Sequence, residues 1–172
     1  FGLAASRQMR LMSPDHCHAL TKKFMLKRSE FDKESGCSTT VDLGYHFTRS
    51  EHMETIQRHG LLNRRDLAAK CINPKLTGTS LGDGVYTART TAYASGGGYG
   101  YECILVARLG GSSDHRVLSE DVMVLKDSAQ CLGLVRVNWY HNCDTQRQLV
   151  QELEKELRAL ISRHFGSFCP SH

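Results

Sequence analysis

The chain has 172 residues, 40% of them hydrophobic, enough for one domain with a real core. Lys and Arg number 22 against 18 Asp and Glu, a net charge of +4, and no basic run exceeds a pair, so a nucleic-acid partner is permitted but not indicated. No stretch approaches the ~20 apolar residues of a bilayer span, and FGLAASRQMRLM is too short for a signal-peptide core, which leaves no membrane partner expected.

In chain order, a short strand is expected around Arg10 to Met12. Ser13-Pro14-Asp15 then starts a helix, with a capping hydroxyl, a proline at the first helical position and an acid in the first turn. Ala19, Leu20, Phe24 and Met25 recur at helical spacing to about Lys33, with Lys22, Lys23, Lys27 and Arg28 as a solvated face. Gly36 to Thr40 is a loop. VDLGYHFT, Val41 to Thr48, alternates as a strand and leads into a second capped helix start at Ser50-Glu51-His52-Met53, which Gly60 closes. Arg64 to Leu76 reads as an irregular polar loop containing proline.

Thr77 to Tyr101, TGTSLGDGVYTARTTAYASGGGYGY, holds seven glycines and four tyrosines. Such glycine density marks backbone that turns tightly or approaches something closely, while tyrosine supplies flat apolar faces with a polar tip. Together they suggest a loop-rich pocket wall for a planar ligand. A low-complexity linker is the alternative, opposed by the strand-like VYTA within the run and the buried strand after it.

Strands follow at Cys103 to Leu109, Val122 to Leu125 and Leu132 to Trp139, with GGSSDHR a short connection after the first. Thr145 to Phe165 is an amphipathic helix with Leu149, Leu153, Leu157 and Leu160/Ile161 as its apolar stripe. It is expected to pack on the domain; a partner-binding helix is the alternative. Helices placed early and late, with strands between, give an α+β class. One domain at 1–140 with a helical extension at 141–172 packed on it is the expected organisation. The seven cysteines are scattered, odd in number and without a C-x-x-C pair, which predicts reduced thiols in an intracellular compartment, nuclear or cytoplasmic, and argues against a zinc site. Because the chain begins with Phe, a larger parent polypeptide is expected.

Three segments, GYHFT at 44–48, GTSLGDGVYTARTTAYA at 78–94 and VMVLKDSAQ at 122–130, together resemble the catalytic domain of the poly(ADP-ribose) polymerase family, the diphtheria-toxin-like ADP-ribosyltransferases. The likeness spans roughly residues 8–138, and its second segment is the specific one. It implies an ADP-ribosyltransferase fold, a split antiparallel sheet with flanking helices, and NAD as substrate. By position, His46 matches the histidine that hydrogen-bonds the adenosine-side ribose, and Tyr86 the tyrosine on which nicotinamide rests. Tyr99 matches the second ring of the sandwich, Tyr93 a tyrosine between them, and Thr48 the Ser/Thr hydroxyl of the first segment. Phe47 stands where the family has glycine, so its backbone is implied to hold the nicotinamide amide while its side chain points away. Counting back from Gln130 puts Val122 at the third catalytic position, where polymerising members use glutamate; a two-residue bulge would bring Glu120 there instead. Valine cannot polarise a ribose hydroxyl, so the resemblance implies a mono-ADP-ribosyltransferase acting on a protein acceptor. An inactive interaction domain of the same fold is the alternative, and a nucleic-acid end is a further acceptor that the charge permits.

Overall fold

A computed structural model describes residues 9–11, 14–72, 81–90, 102–111, 114–117, 122–138 and 144–165. Among these, seven strands form one antiparallel sheet: β1 (Met9–Leu11), β2 (Val41–Thr48), β3 (Val85–Ala88), β4 (Glu102–Leu109), β5 (His115–Val117), β6 (Val122–Leu125) and β7 (Cys131–Asn138). Their order across the sheet is β1-β7-β4-β2-β3-β6-β5. Four helices accompany it, α1 (Pro14–Ser35), α2 (Met53–His59), α3 (Arg64–Ala69) and α4 (Asp144–Phe165). The expected α+β class holds. None of the described helices is long and apolar enough to cross a membrane.

Every residue of β4 is buried, as a continuous apolar run flanked by strands and covered on both faces requires. Strand alternation divides its side chains between two cores. Cys103, Leu105, Ala107 and Leu109 meet Val41, Leu43 and Tyr45 of β2, Phe24 of α1, and Leu149, Val150, Leu153 and Ile161 of α4. Ile104 and Val106 meet Val85, Met123 and Leu125, with Met53 and Ile56 of α2 and Leu61 beside them. Each such aliphatic side chain contributes roughly 1.5–3 kcal/mol by leaving water. Helix α4 therefore belongs to the first core. Its stripe is shifted slightly from expectation, with Val150 buried and Leu160 45% exposed.

Several local expectations are corrected. Arg64–Ala69 is a helix rather than a loop, because Asn63 caps it by accepting from Asp66 N at 2.8 Å. Asn63 also donates Nδ2–H to Lys126 O at 3.0 Å and its backbone N–H to Ser128 Oγ at 2.8 Å, which ties the helix start to the turn before β7. Ser50 caps nothing. It begins a 3₁₀ turn, Ser50–His52, and donates to Glu102 Oε1 at 2.9 Å instead. The GGSSDHR connection contains the start of strand β5, paired with β6. Of the four basic residues placed on a solvated face, Lys27 pairs with Asp127 at 2.8 Å, and Arg28 donates to Thr39 O at 3.1 Å and Phe165 O at 2.9 Å, joining α1 to the end of α4.

The sheet has one weak seam. β2 pairs with β4 at every position from Val41 to Thr48, and β3 pairs with β6 from Val85 to Ala88, but among the described residues β2 and β3 share only the pair Tyr45 and Ala88. Two half-sheets thus meet at a single rung. On the Asp42 side of the rung, Arg108 of β4 occupies the gap. Its side chain is 1% exposed. It donates Nε–H and Nη2–H to Asp42 Oδ2 at 3.1 and 2.6 Å, and Nη1–H to Thr87 Oγ1 at 3.0 Å and Ala88 O at 3.2 Å. Gly44 leaves the room for this, since a Cβ there would lie 3.0 Å from Arg108 Cδ and Nη1.

Two of the five described cysteines, Cys103 and Cys131, are buried, and burial pushes the Cys131 thiol up to about 12 and the Cys103 thiol up as well. Iodoacetamide on the native chain is expected to label exposed Cys17, Cys37 and Cys71 and to spare these two; native labelling of Cys103 at the rate of Cys37 would contradict the packing. Arg108→Ala strands Asp42 and leaves the Thr87 and Ala88 acceptors without their partner, so urea unfolding is expected to show a loss of about 3–5 kcal/mol. Gly44→Ala is expected to cost about 1–3 kcal/mol by crowding the guanidinium.

Candidate functional site

On the other side of the rung the gap is bridged by His46. Its strand neighbours alternate, so His46 projects with Thr48 toward the α2 side, as does its ladder partner Ile104 of the second core. His46 Nδ1 lies 2.8 Å from Tyr86 O. A carbonyl oxygen only accepts, so Nδ1 carries the proton and Nε2 presents an acceptor lone pair. Burial lowers the His46 pKa below its ordinary value, the Tyr86 hydrogen bond raises it by less, and nearby His52 lowers it further. At neutral pH the ring is therefore uncharged, a base or acceptor rather than a cation.

Phe47 is half-buried and packs on the first core, on the face of β2 away from His46. Thr48 is buried opposite Glu102. Glu102, itself buried, accepts Arg136 Nε–H at 2.7 Å, a second bond from Arg136 Nη2, and the Ser50 hydroxyl. This ion pair fixes the end of β2 and the turn that starts α2.

Tyr86 is half-buried, and its phenol is tied to the turn before β3. The hydroxyl donates to Gly82 O at 2.7 Å and accepts from Leu81 N at 3.0 Å. The turn itself is held by Asp83, which accepts from Arg64 N at 2.9 Å. Gly84 is obligatory there, because an added Cβ would fall 2.6 Å from Leu125 O. Along β3 the pleat puts Tyr86 on the face of Ala88, and Thr87 on the face of Val85. Val122 pairs with Ala88 on one side and Val117 on the other, and is 2% exposed. It offers only methyl groups.

The seam thus brings the His46 ring to the Tyr86 backbone and sets Val122 two ladder positions from Tyr86. It does not bring the His46 and Tyr86 rings to one face of the sheet. Tyr93, Tyr99 and Glu120 lie outside the described residues, as does most of the glycine-rich stretch. Residues that the sequence did not single out are Asp42, Gly44, Thr87 and Arg108, along with the Glu102 and Arg136 pair. Their signal was present: a charge inside each of the apolar strands VDLGYHFT and ECILVARL needs a buried partner. Comparison with protein-family models gives no match, and comparison with curated proteins gives none either.

Because the folded pKa of His46 lies below its unfolded value, the unfolded chain takes up the proton first as pH falls. The stability this site contributes is complete above the ordinary value of 6.5 and declines as pH drops below it toward the folded pKa. His46→Asn keeps a donor for Tyr86 O but cannot titrate. The stability advantage of wild type over this variant is expected to shrink between roughly pH 7 and 5 in urea titrations. A difference constant across that range would show that His46 does not titrate differently in the two states.

Proposed function

We propose that the chain is an NAD-dependent mono-ADP-ribosyltransferase domain. The observation that carries this reading is the neutral His46 at an opening of the sheet, bonded through Nδ1 to the backbone of the strand that holds Tyr86. In this arrangement Nε2 accepts a hydrogen bond from a ribose hydroxyl of NAD. In this reading Tyr86, whose ring is oriented by its bonds to Leu81 and Gly82 on the face of the sheet opposite His46, forms the nicotinamide floor and the Phe47 backbone holds the carboxamide, so NAD has to cross the open seam between β2 and β3 to meet both. The glycosidic C–N bond breaks, nicotinamide leaves with the bonding pair, and the cationic ribose carbon is captured by an acceptor nucleophile that loses its proton. Holding ring and ribose in fixed relative orientation is the main contribution of these residues. Val122 has no group that accepts a proton from a ribose hydroxyl, so transfer stops at one unit. The acceptor in this reading is a protein side chain, and the setting is intracellular.

The burial of Val122 also favours a second reading, a domain of the same build that binds a protein partner and has no NAD chemistry. The two separate on NAD binding. Millimolar NAD is expected to raise the thermal midpoint of the wild-type chain, since a ligand at a hundredfold excess over its Kd adds about 2.7 kcal/mol. No shift and no heat of titration would favour the interaction domain.

Activity tests the residues. Tyr86→Ala and His46→Ala are each expected to abolish NAD-dependent automodification, read as transfer of labelled ADP-ribose to the chain. Labelling that survives Tyr86→Ala would sink the assignment.

A further inference from the structure

We propose that Arg108 is a positioning residue for the His46 site, and that helix α4 sets the position of Arg108 through Asp42. The proposal rests on the assignment of His46 to the site. Its physical basis is that β2 and β3 share one ladder pair, so ladder hydrogen bonds do not fix the spacing of the two half-sheets. Side chains fix it. His46 holds Tyr86 O at 2.8 Å, and Arg108 holds Ala88 O at 3.2 Å. Carbonyls two residues apart on a strand point to the same edge, so the two clasps grip one edge of β3, Arg108 at the rung residue Ala88 and His46 two residues before it. Movement of Arg108 changes the separation at Ala88, and the rung passes that change to Tyr86 and His46.

Arg108 is held in turn from the far side. Both its Nε and Nη2 groups donate to Asp42 Oδ2, while Asp42 Oδ1 accepts from Leu43 N at 2.7 Å and faces Arg158 Nη1 of α4 at 3.6 Å. Arg158 Nε donates to Glu154 Oε1 at 2.7 Å, and Glu154 Oε2 accepts from the Tyr45 hydroxyl. Tyr45 is the β2 member of the single rung. Helix α4 therefore touches both components of the seam, the rung through Glu154 and the Arg108 clasp through Arg158. Thr87 completes the path, accepting from Arg108 and donating its hydroxyl to Met123 O at 3.2 Å, which carries the clasp into β6.

The test uses the whole chain and follows the His46 imidazole nitrogens by heteronuclear NMR, which reads tautomer and pKa without substrate. Arg108→Met removes the guanidinium and keeps much of its length. Arg158→Met and Glu154→Gln keep Arg108 and alter the contacts of α4 with Asp42 and the rung, so they remain informative where Arg108→Met does not fold. In each variant the Nδ1–H tautomer is expected to lose population and the His46 pKa to move up toward its ordinary value, most in Arg108→Met. Turnover of NAD in Arg108→Met is expected to fall about a hundredfold in kcat, with little change in KM, and Arg108→Lys to recover part of it. His46 signals in Arg158→Met and Glu154→Gln that coincide with wild type would overturn the proposal. A wild-type chain that turns over no NAD, with His46 still shifted in the variants, would instead reject the transferase reading and leave the clasp standing.

Discussion

A guanidinium that has left water must find acceptors for its donors, and Arg108 finds four bonds within one gap of the sheet. That requirement organises its surroundings. Asp42 has to sit beside it on β2, Thr87 and the Ala88 carbonyl have to reach it from β3, and position 44 has to be glycine so that the head fits between the strands. None of these features is needed by a regular seven-stranded sheet, in which β2 and β3 would close their own ladder and leave no space. The buried charge and the split are one feature: the strands diverge because the arginine lies between them, and the arginine is satisfied because they diverge.

The same divergence determines what His46 can do. In a closed ladder the Tyr86 carbonyl would bond the β2 backbone, and a histidine in β2 would have no carbonyl to hold. With the strands apart, Tyr86 O takes the Nδ1 proton, and burial keeps the ring neutral. Tautomer and charge state are thus consequences of backbone geometry and do not depend on a neighbouring acid. On the opposite face, Tyr45 is held by burial and by the Glu154 carboxylate, both of which push its phenol up, so the single rung carries one neutral phenol donor bound to α4.

Elements with a strong period were legible in the sequence. VDLGYHFT, VYTA and ECILVARL form strands, the last as a run buried throughout, and the α1 and α4 segments form helices, because strand-like runs and helical spacing are local signals. Short elements fixed by distant partners were not. Helix α3 is held by what Asn63 reaches, Lys126 and Ser128, and nothing within Arg64–Ala69 announces it. Strand β5 has only three residues and exists by pairing with β6. Ser50 has the spacing of a cap, but a buried carboxylate competes for its hydroxyl and wins. In the site, His46 and Tyr86 were singled out, while Arg108 was missed because its role is defined by residues 66 positions upstream and 21 away, at Asp42 and Thr87.

The distribution of acids around the seam bears on what chemistry it supports. Asp42 is paired with Arg108, Glu102 with Arg136, and Glu154 with Arg158 and the Tyr45 hydroxyl. Among the described residues at the seam, His46 is a neutral ring whose Nε2 is directed away from its structural bond. An imidazole accepting a single hydrogen bond orients a hydroxyl well but does not balance a full positive charge as a carboxylate would. Under the proposed transferase reading, such a site suits a reaction in which the departing nicotinamide and the arriving nucleophile carry most of the charge change and the protein contributes orientation. Under the same proposal, one transfer per acceptor is expected rather than repeated elongation, where each added ribose hydroxyl would have to be activated in turn.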